Sequence, residues 1–187
     1  MRSSSIAAIL VALLFITTPD MGWATGYFSK WFSKPYFPDP KCTSILTDAK
    51  KSMGDAIQVL KQTRGIDYRA RGCGVSNAVN HPGCLNEYNN ELRFSQNGSD
   101  LIVSSKNSLQ KVKKDDLLKP KGVQDADKII QLIYREHAKV AHYINQLKRN
   151  TPRSGSSVDI KDYWQMQNVD DVLQKDGLSA IDTLKKS

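Results

Sequence analysis

The stretch Val123–Arg149, VQDADKIIQLIYREHAKVAHYINQLKR, decides the fold. Ala126, Ile130, Ile133, His137, Val140, Ile144 and Leu147 recur in alternating steps of four and three. That spacing places all seven on one side of an α-helix. Pro120 and Gly122 lead in, and Asn150-Thr151-Pro152 ends it. Asp125 and Asp127 near the start and Lys148 and Arg149 near the end complement the helix dipole.

On the other side, Lys128, Arg135, Lys139, His142 and Arg149 fall within about 80° of one another at 100° per residue. This is a basic stripe, with Asp127 and Glu136 to its sides. His137 and His142 are about 140° apart on the same wheel, so they do not form the i,i+4 pair of a metalloprotease helix. No metal site is expected. His137 lies in the apolar seam, where a packed, hydrogen-bonded histidine is the simpler reading.

Upstream, Asp39-Pro40 reads as an N-cap followed by proline at the first helical position. From there Cys42, Leu46, Ala49, Met53, Ala56 and Leu60 repeat the same stepping, with Ile45 and Ile57 widening the stripe. Gly65 reads as the stop. Two helices with matching seams are expected to pack on each other at a shallow angle. Residues 65–84, rich in Gly and Arg, read as a basic loop. Between Leu85 and Leu118, Asn97-Gly98 reads as a turn, either of a hairpin between Leu92 and Val103 or between two helices. Helix-turn-helix is preferred because helical spacing extends far on both sides. Asn97-Gly98-Ser99 also matches the glycosylation sequon, a triplet that arises often by chance. Lys106 to Lys121 is the most basic region, and a solvated face is the usual meaning of such a run. After a polar linker at 151–157, Asn168 is a candidate cap for a last helix that Gly177 interrupts.

The expected fold is an all-α bundle of four or five helices, near 40–64, 85–95, 99–118, 121–150 and 168–185, with the central seam packed on the first helix. It forms a single domain over 40–187. Residues 1–24 have the layout of a cleavable signal peptide: Arg2, an apolar run from Ile6 to Ile16, then Gly22-Trp23-Ala24 before the cut. The apolar run is far shorter than the roughly 20 residues a spanning helix needs. A secreted or periplasmic location follows. Residues 25–39 form an arm rich in aromatics and proline, where Tyr27, Phe28, Trp31, Phe32, Tyr36 and Phe37 come in pairs around Lys30 and Lys34. Such an arm packs its rings on the core or offers them to a membrane interface or partner.

The chain has 27 Lys+Arg against 19 Asp+Glu, a net charge of +8. Removing residues 1–24 takes one base, Arg2, and one acid, Asp20, so the balance is kept. A basic exported protein meets acidic proteins, acidic glycans or anionic lipid. Nucleic acid is not an expected partner, because Asp115 and Asp116 break the lysine run and no base-reading motif is present.

Of the three cysteines, Cys73 and Cys84 are the preferred disulfide. A helix over 40–64 carries Arg64 about 33 Å from Cys42, and the nine residues on to Cys73 span only about 30 Å. Cys42–Cys84 is the alternative, and three reduced thiols the remaining possibility. There is no GxSxG elbow, no Cys–His setting, no phosphate loop and no sign of a cofactor.

The composition and patterning therefore point to a non-enzymatic exported binding or assembly protein, a class that includes secreted effectors. It would engage an acidic partner through the basic stripe, assisted by the arm. A small enzyme with a pocket near His137 and Glu136, and a membrane-interface protein inserting the arm, are the competing expectations.

Overall fold

The computed structural model describes residues 39–75, 82–150 and 160–186, with side chains described for 39–70, 82–149 and 164–186. The expected signal peptide and the aromatic residues of the expected arm lie outside these. All described residues belong to one unit, Pro38–Ser187. Among them there is no strand, as an all-α bundle requires.

The first helix, α1, spans Pro40–Val75. Asp39 caps it: its Oδ1 accepts the Lys41 N–H at 2.7 Å, with Pro40 at the first helical position. Gly65 does not end it. The buried seam runs on through Leu60, Thr63, Asp67 and Ala70 without a change of step. It becomes polar there, which is why an apolar pattern loses it.

The second helix, α2, spans Pro82–Lys114 without interruption. Both the hairpin and the helix-turn-helix readings of Asn97-Gly98 are thus overturned, and most of the expected 65–84 loop is helical too. The buried residues of α2 are Cys84, Tyr88, Glu91, Ser95, Gly98, Ile102, Ser105, Leu109 and Val112. Their steps alternate four and three from end to end, yet Glu91, Ser95, Gly98 and Ser105 carry no apolar signal. Gly98 is a packing residue rather than a breaker. A Cβ placed on it would stand 2.8 Å from Leu60 Cδ2 and 3.1 Å from Leu60 Cγ. The missing side chain lets α1 and α2 approach closely. Asp116, at φ 53°, closes α2 in the left-handed C′ position: Asp116 N–H donates to Lys113 O at 3.1 Å and Leu117 N–H to Val112 O at 3.2 Å.

The third helix, α3, spans Pro120–Asn150. It runs antiparallel to α2, pairing His137 with Ser99 and Asp127 with Lys113. Two short helices follow, α4 (Ile160–Gln167) and α5 (Val169–Val172). The chain then loosens into a π turn, Leu173–Leu178, and tightens again as α6 (Ser179–Leu184). Asn168 makes no side-chain cap, contrary to expectation. The buried positions Leu173, Gly177 and Ile181 step four and four, one residue more than a heptad seam allows. The π turn absorbs that extra residue. Gly177 does not interrupt the helical path; a Cβ on it would lie 2.6 Å from Met53 Sδ.

Lys61–Gln174, Lys50–Asp182 and Lys185–Thr47 bonds lay this C-terminal arm antiparallel along α1. The result is an up-down-up-down bundle. Here α2 and the C-terminal arm each touch both α1 and α3, while α1 and α3 sit mainly on the diagonal. The expected direct packing of the central helix on the first is therefore corrected. Matching seams face a common core, and long side chains such as Tyr143 bridge the diagonal.

Gly98→Val is expected to cost about 2–3 kcal/mol by overpacking Leu60. Gly54→Ala, with open space around it, should add about 0.5–1 kcal/mol by helix propensity. Urea unfolding of both variants measures the contrast; equal effects would remove the close approach as a determinant.

Candidate functional site

The burial of α3 repeats with a period of seven. With Ile130 at position a of the heptad, the a, d and g columns form the core side. The g column, Ile129, Glu136 and Tyr143, is fully inside. Glu136 was expected beside the basic stripe; it is instead 0% exposed. Arg135 Nε donates to its Oε1 at 2.8 Å and Lys139 Nζ to its Oε2 at 2.7 Å. Two stripe cations thus neutralise a carboxylate folded under them. Extending the heptad one column beyond the apolar residues was the signal that could have found it.

The f column is Lys128, Arg135, His142 and Arg149, all exposed. Lys139 is half-buried beside them. The stripe is therefore one continuous outer face. Lys128 reaches Asp125 at 3.1 Å, an exposed i,i+3 pair that holds little energy. Arg135 remains 64% exposed while its Nε holds Glu136. Of the other expected contact residues, Tyr27, Phe28, Trp31, Phe32, Tyr36 and Phe37 lie outside the described residues. Asn97 is exposed on α2, in mid-helix rather than on a turn.

Behind the stripe, Tyr143 links three helices. Its hydroxyl lies 2.8 Å from Asp67 Oδ1 of α1 and bonds Glu91 Oε1 of α2. All three side chains are buried. Burial, then the Glu91 and Asp67 charges, push the Tyr143 phenol far above its ordinary range, so it stays a donor. Sequence reasoning missed this cluster because Asp67 falls in the stretch read as a loop and Glu91 carries no apolar signal. A further buried acid, Asp170 of α5, bonds Arg64 of α1, which also donates to Gln167 O. Burial raises the Asp170 carboxyl and Arg64 only partly offsets it. Its Oδ2 has no partner, so the pair is a positional clasp more than a source of stability.

His137 is half-buried, with Nε2 3.0 Å from Ser99 Oγ across the α2–α3 joint. Burial, then Lys106, lower its pKa; Asp100 opposes them. Beside Ser99 a shallow groove of about 500 Å³ is lined by Gln96, Asp100, Ala141, Ile144, Asn145 and Lys148. The groove is polar, and Glu136 does not reach it. Among the described residues, no group of three or more His, Cys, Asp or Glu side chains could hold a metal. None of the described helices is long and apolar enough to cross a membrane. Cys42 is a buried free thiol, its pKa raised by burial and by Asp39. The alternative Cys42–Cys84 disulfide is therefore not formed.

No protein family, curated protein or solved structure matches this chain. The reading of the site rests on its own geometry.

Tyr143→Phe should keep the fold's helicity but cost about 3 kcal/mol, because two buried carboxylates lose a shared donor; urea titration followed by circular dichroism measures it. The depressed His137 pKa has a definite sign. Below the ordinary value of 6.5 the unfolded chain takes up a proton that the folded chain refuses, so stability falls as pH drops through that region. His137→Gln, which keeps a hydrogen bond available to Ser99, should flatten the loss between about pH 7 and pH 5. Urea midpoints at the two pH values provide the check.

Proposed function

We propose that this is an exported, non-enzymatic binding or assembly protein that takes an acidic partner on the outer face of α3. The observation that carries the reading is the f column. Lys128, Arg135, His142 and Arg149 stand exposed along the helix, with Asp125 beside Lys128 and the buried Glu136 beneath Arg135. The column itself contains no acid, so the outer face presents mainly basic side chains, which is what steers and holds an anionic surface. The +8 net charge of the whole chain acts in the same direction.

Export rests on the layout of residues 1–24, with the mature chain beginning at Thr25. A Cys73–Cys84 disulfide belongs to the same proposal. It is supported by Cys42 being a free thiol. The bond would join the last turn of α1 to the first turn of α2. The aromatic arm is proposed as an auxiliary contact. The enzyme reading draws less support: Glu136 is sealed and committed to two cations, and His137 is held by Ser99.

The test must avoid Arg135 and Lys139. Reversing both would strip a buried carboxylate of its counter-charges and destabilise the bundle. Lys128→Glu with Arg149→Glu leaves Glu136 untouched. This variant should elute from immobilised poly-glutamate and from heparin at clearly lower salt than the wild type, with an unchanged unfolding midpoint. Lys51→Glu with Lys175→Glu, at exposed positions elsewhere, makes the same change in net charge and should elute close to the wild type. Equal behaviour of the two variants would reduce the effect to bulk charge and sink the α3 site.

A further inference from the structure

The outer face of α3 holds more than a column of charge. Lys128, Gln131, Arg135, Ala138, His142, Asn145 and Arg149 are all exposed, and their steps alternate three and four. This is the spacing of a helix–helix seam, repeated on the side of α3 that points away from the core. The seam contains no acid and no large apolar residue. Cationic or titratable side chains alternate with short neutral ones, and Ala138 sits at its centre.

We infer that this outer seam is a docking track for a partner helix that carries carboxylates at seven-residue intervals. The inference rests on the acidic-partner reading and specifies the partner. Three properties favour a helix over other polyanions. First, successive f-column side chains are about 10.5 Å apart along the axis. Carboxylates at i, i+7 and i+14 of a second helix have the same spacing, whereas duplex DNA presents a charge every ~1.7 Å of its axis.

Second, seven residues fall about 20° short of two full turns, so the column winds slowly around α3. A supercoiled helix follows such a path, and a flat bilayer surface does not. Third, the neutral residues between the cations are small or amide-bearing, which lets a second backbone come close and bond at its flanks. The groove beside Ser99 lies along the same edge, lined by Gln96, Asn145 and Lys148 together with the acid Asp100. It provides a polar rim for the partner. Lys106 Nζ, 4.6 Å from the centre of the Tyr134 ring, braces the exposed Tyr134 on that side of the helix.

The partner is recognised by charge register rather than by apolar burial. Affinity is then moderate, sensitive to salt, and dependent on where the acids sit around the partner helix. The wild-type protein can be titrated with two synthetic helical peptides of identical composition. One places Glu at every seventh position with Ala at the intervening seam positions; the other moves the same Glu residues around the helix. Isothermal titration at low salt should show the in-register peptide binding at least about tenfold more tightly, and Lys128→Glu with Arg149→Glu should remove that preference.

Equal binding of the two peptides overturns the helical track and leaves the acidic-partner reading standing. Binding to heparin or to anionic phospholipid vesicles that the same variant abolishes, with neither peptide bound, overturns the track in favour of a glycan or a membrane surface. No binding by any of these probes overturns both the track and the reading beneath it.

Discussion

Leu60 rests on Gly98, and the distance between the two longest helices follows from that contact. The approach is possible because Gly98 has no side chain and because the positions around it, Ala56, Ser95 and Ser105, are small. With α1 and α2 drawn together, their seams run in register over their whole length. At one end the core is apolar, from Cys42 to Leu60 and from Ile102 to Val112. At the other it is polar, built on Thr63, Asp67, Glu91 and Ser95. Tyr143 closes the polar end from α3 and brings a third helix to the same carboxylates.

The same economy holds the fourth element. Gly177 seats the C-terminal arm on Met53, and the π turn around it accommodates one surplus residue without breaking the path. Arg64 and Asp170 then fix the arm's entry, and Lys50–Asp182 its far end. The last pair is half-exposed and its carboxyl is shifted down by Lys50, as befits a solvated contact. The Asp170 carboxyl is shifted the opposite way by burial. Two Asp–base contacts on one arm thus differ in character because one is dry and the other wet.

A heptad has one more consequence for α3. Three columns face inward, so acids in the g column are hidden while bases in the f column remain outside. Charge along the helix is sorted by column rather than by sequence neighbourhood. Glu136 and Arg135 are adjacent in the chain, yet one is sealed and the other mostly exposed. The outer face presents mainly basic side chains because of this sorting, and the proposed binding role depends on it.

Much of this was legible beforehand. The α3 seam, the Asp39 cap, the apolar half of α1, the basic stripe and the all-α class all follow from periodicity and local chemistry, which act within a few turns of helix. Gly65, Gly98 and Gly177 were misread as breakers because glycine weakens an isolated helix; at Gly98 and Gly177 only a neighbouring helix reveals the gain from close approach. Thr63, Asp67, Glu91, Ser95 and Glu136 did not stand out as core residues for a related reason. A buried polar residue has no apolar signature of its own, and its partners come from other elements or from a column the hydrophobic pattern does not mark. By itself the sequence determined the all-α class, the helices that carry an apolar seam and which face of α3 is basic, because these are properties of one helix at a time. The tertiary structure alone decided which glycines are contacts, which acids are inside, and that α1 and α3 lie across a diagonal. Those outcomes depend on the distances between helices, and no single helix carries that information.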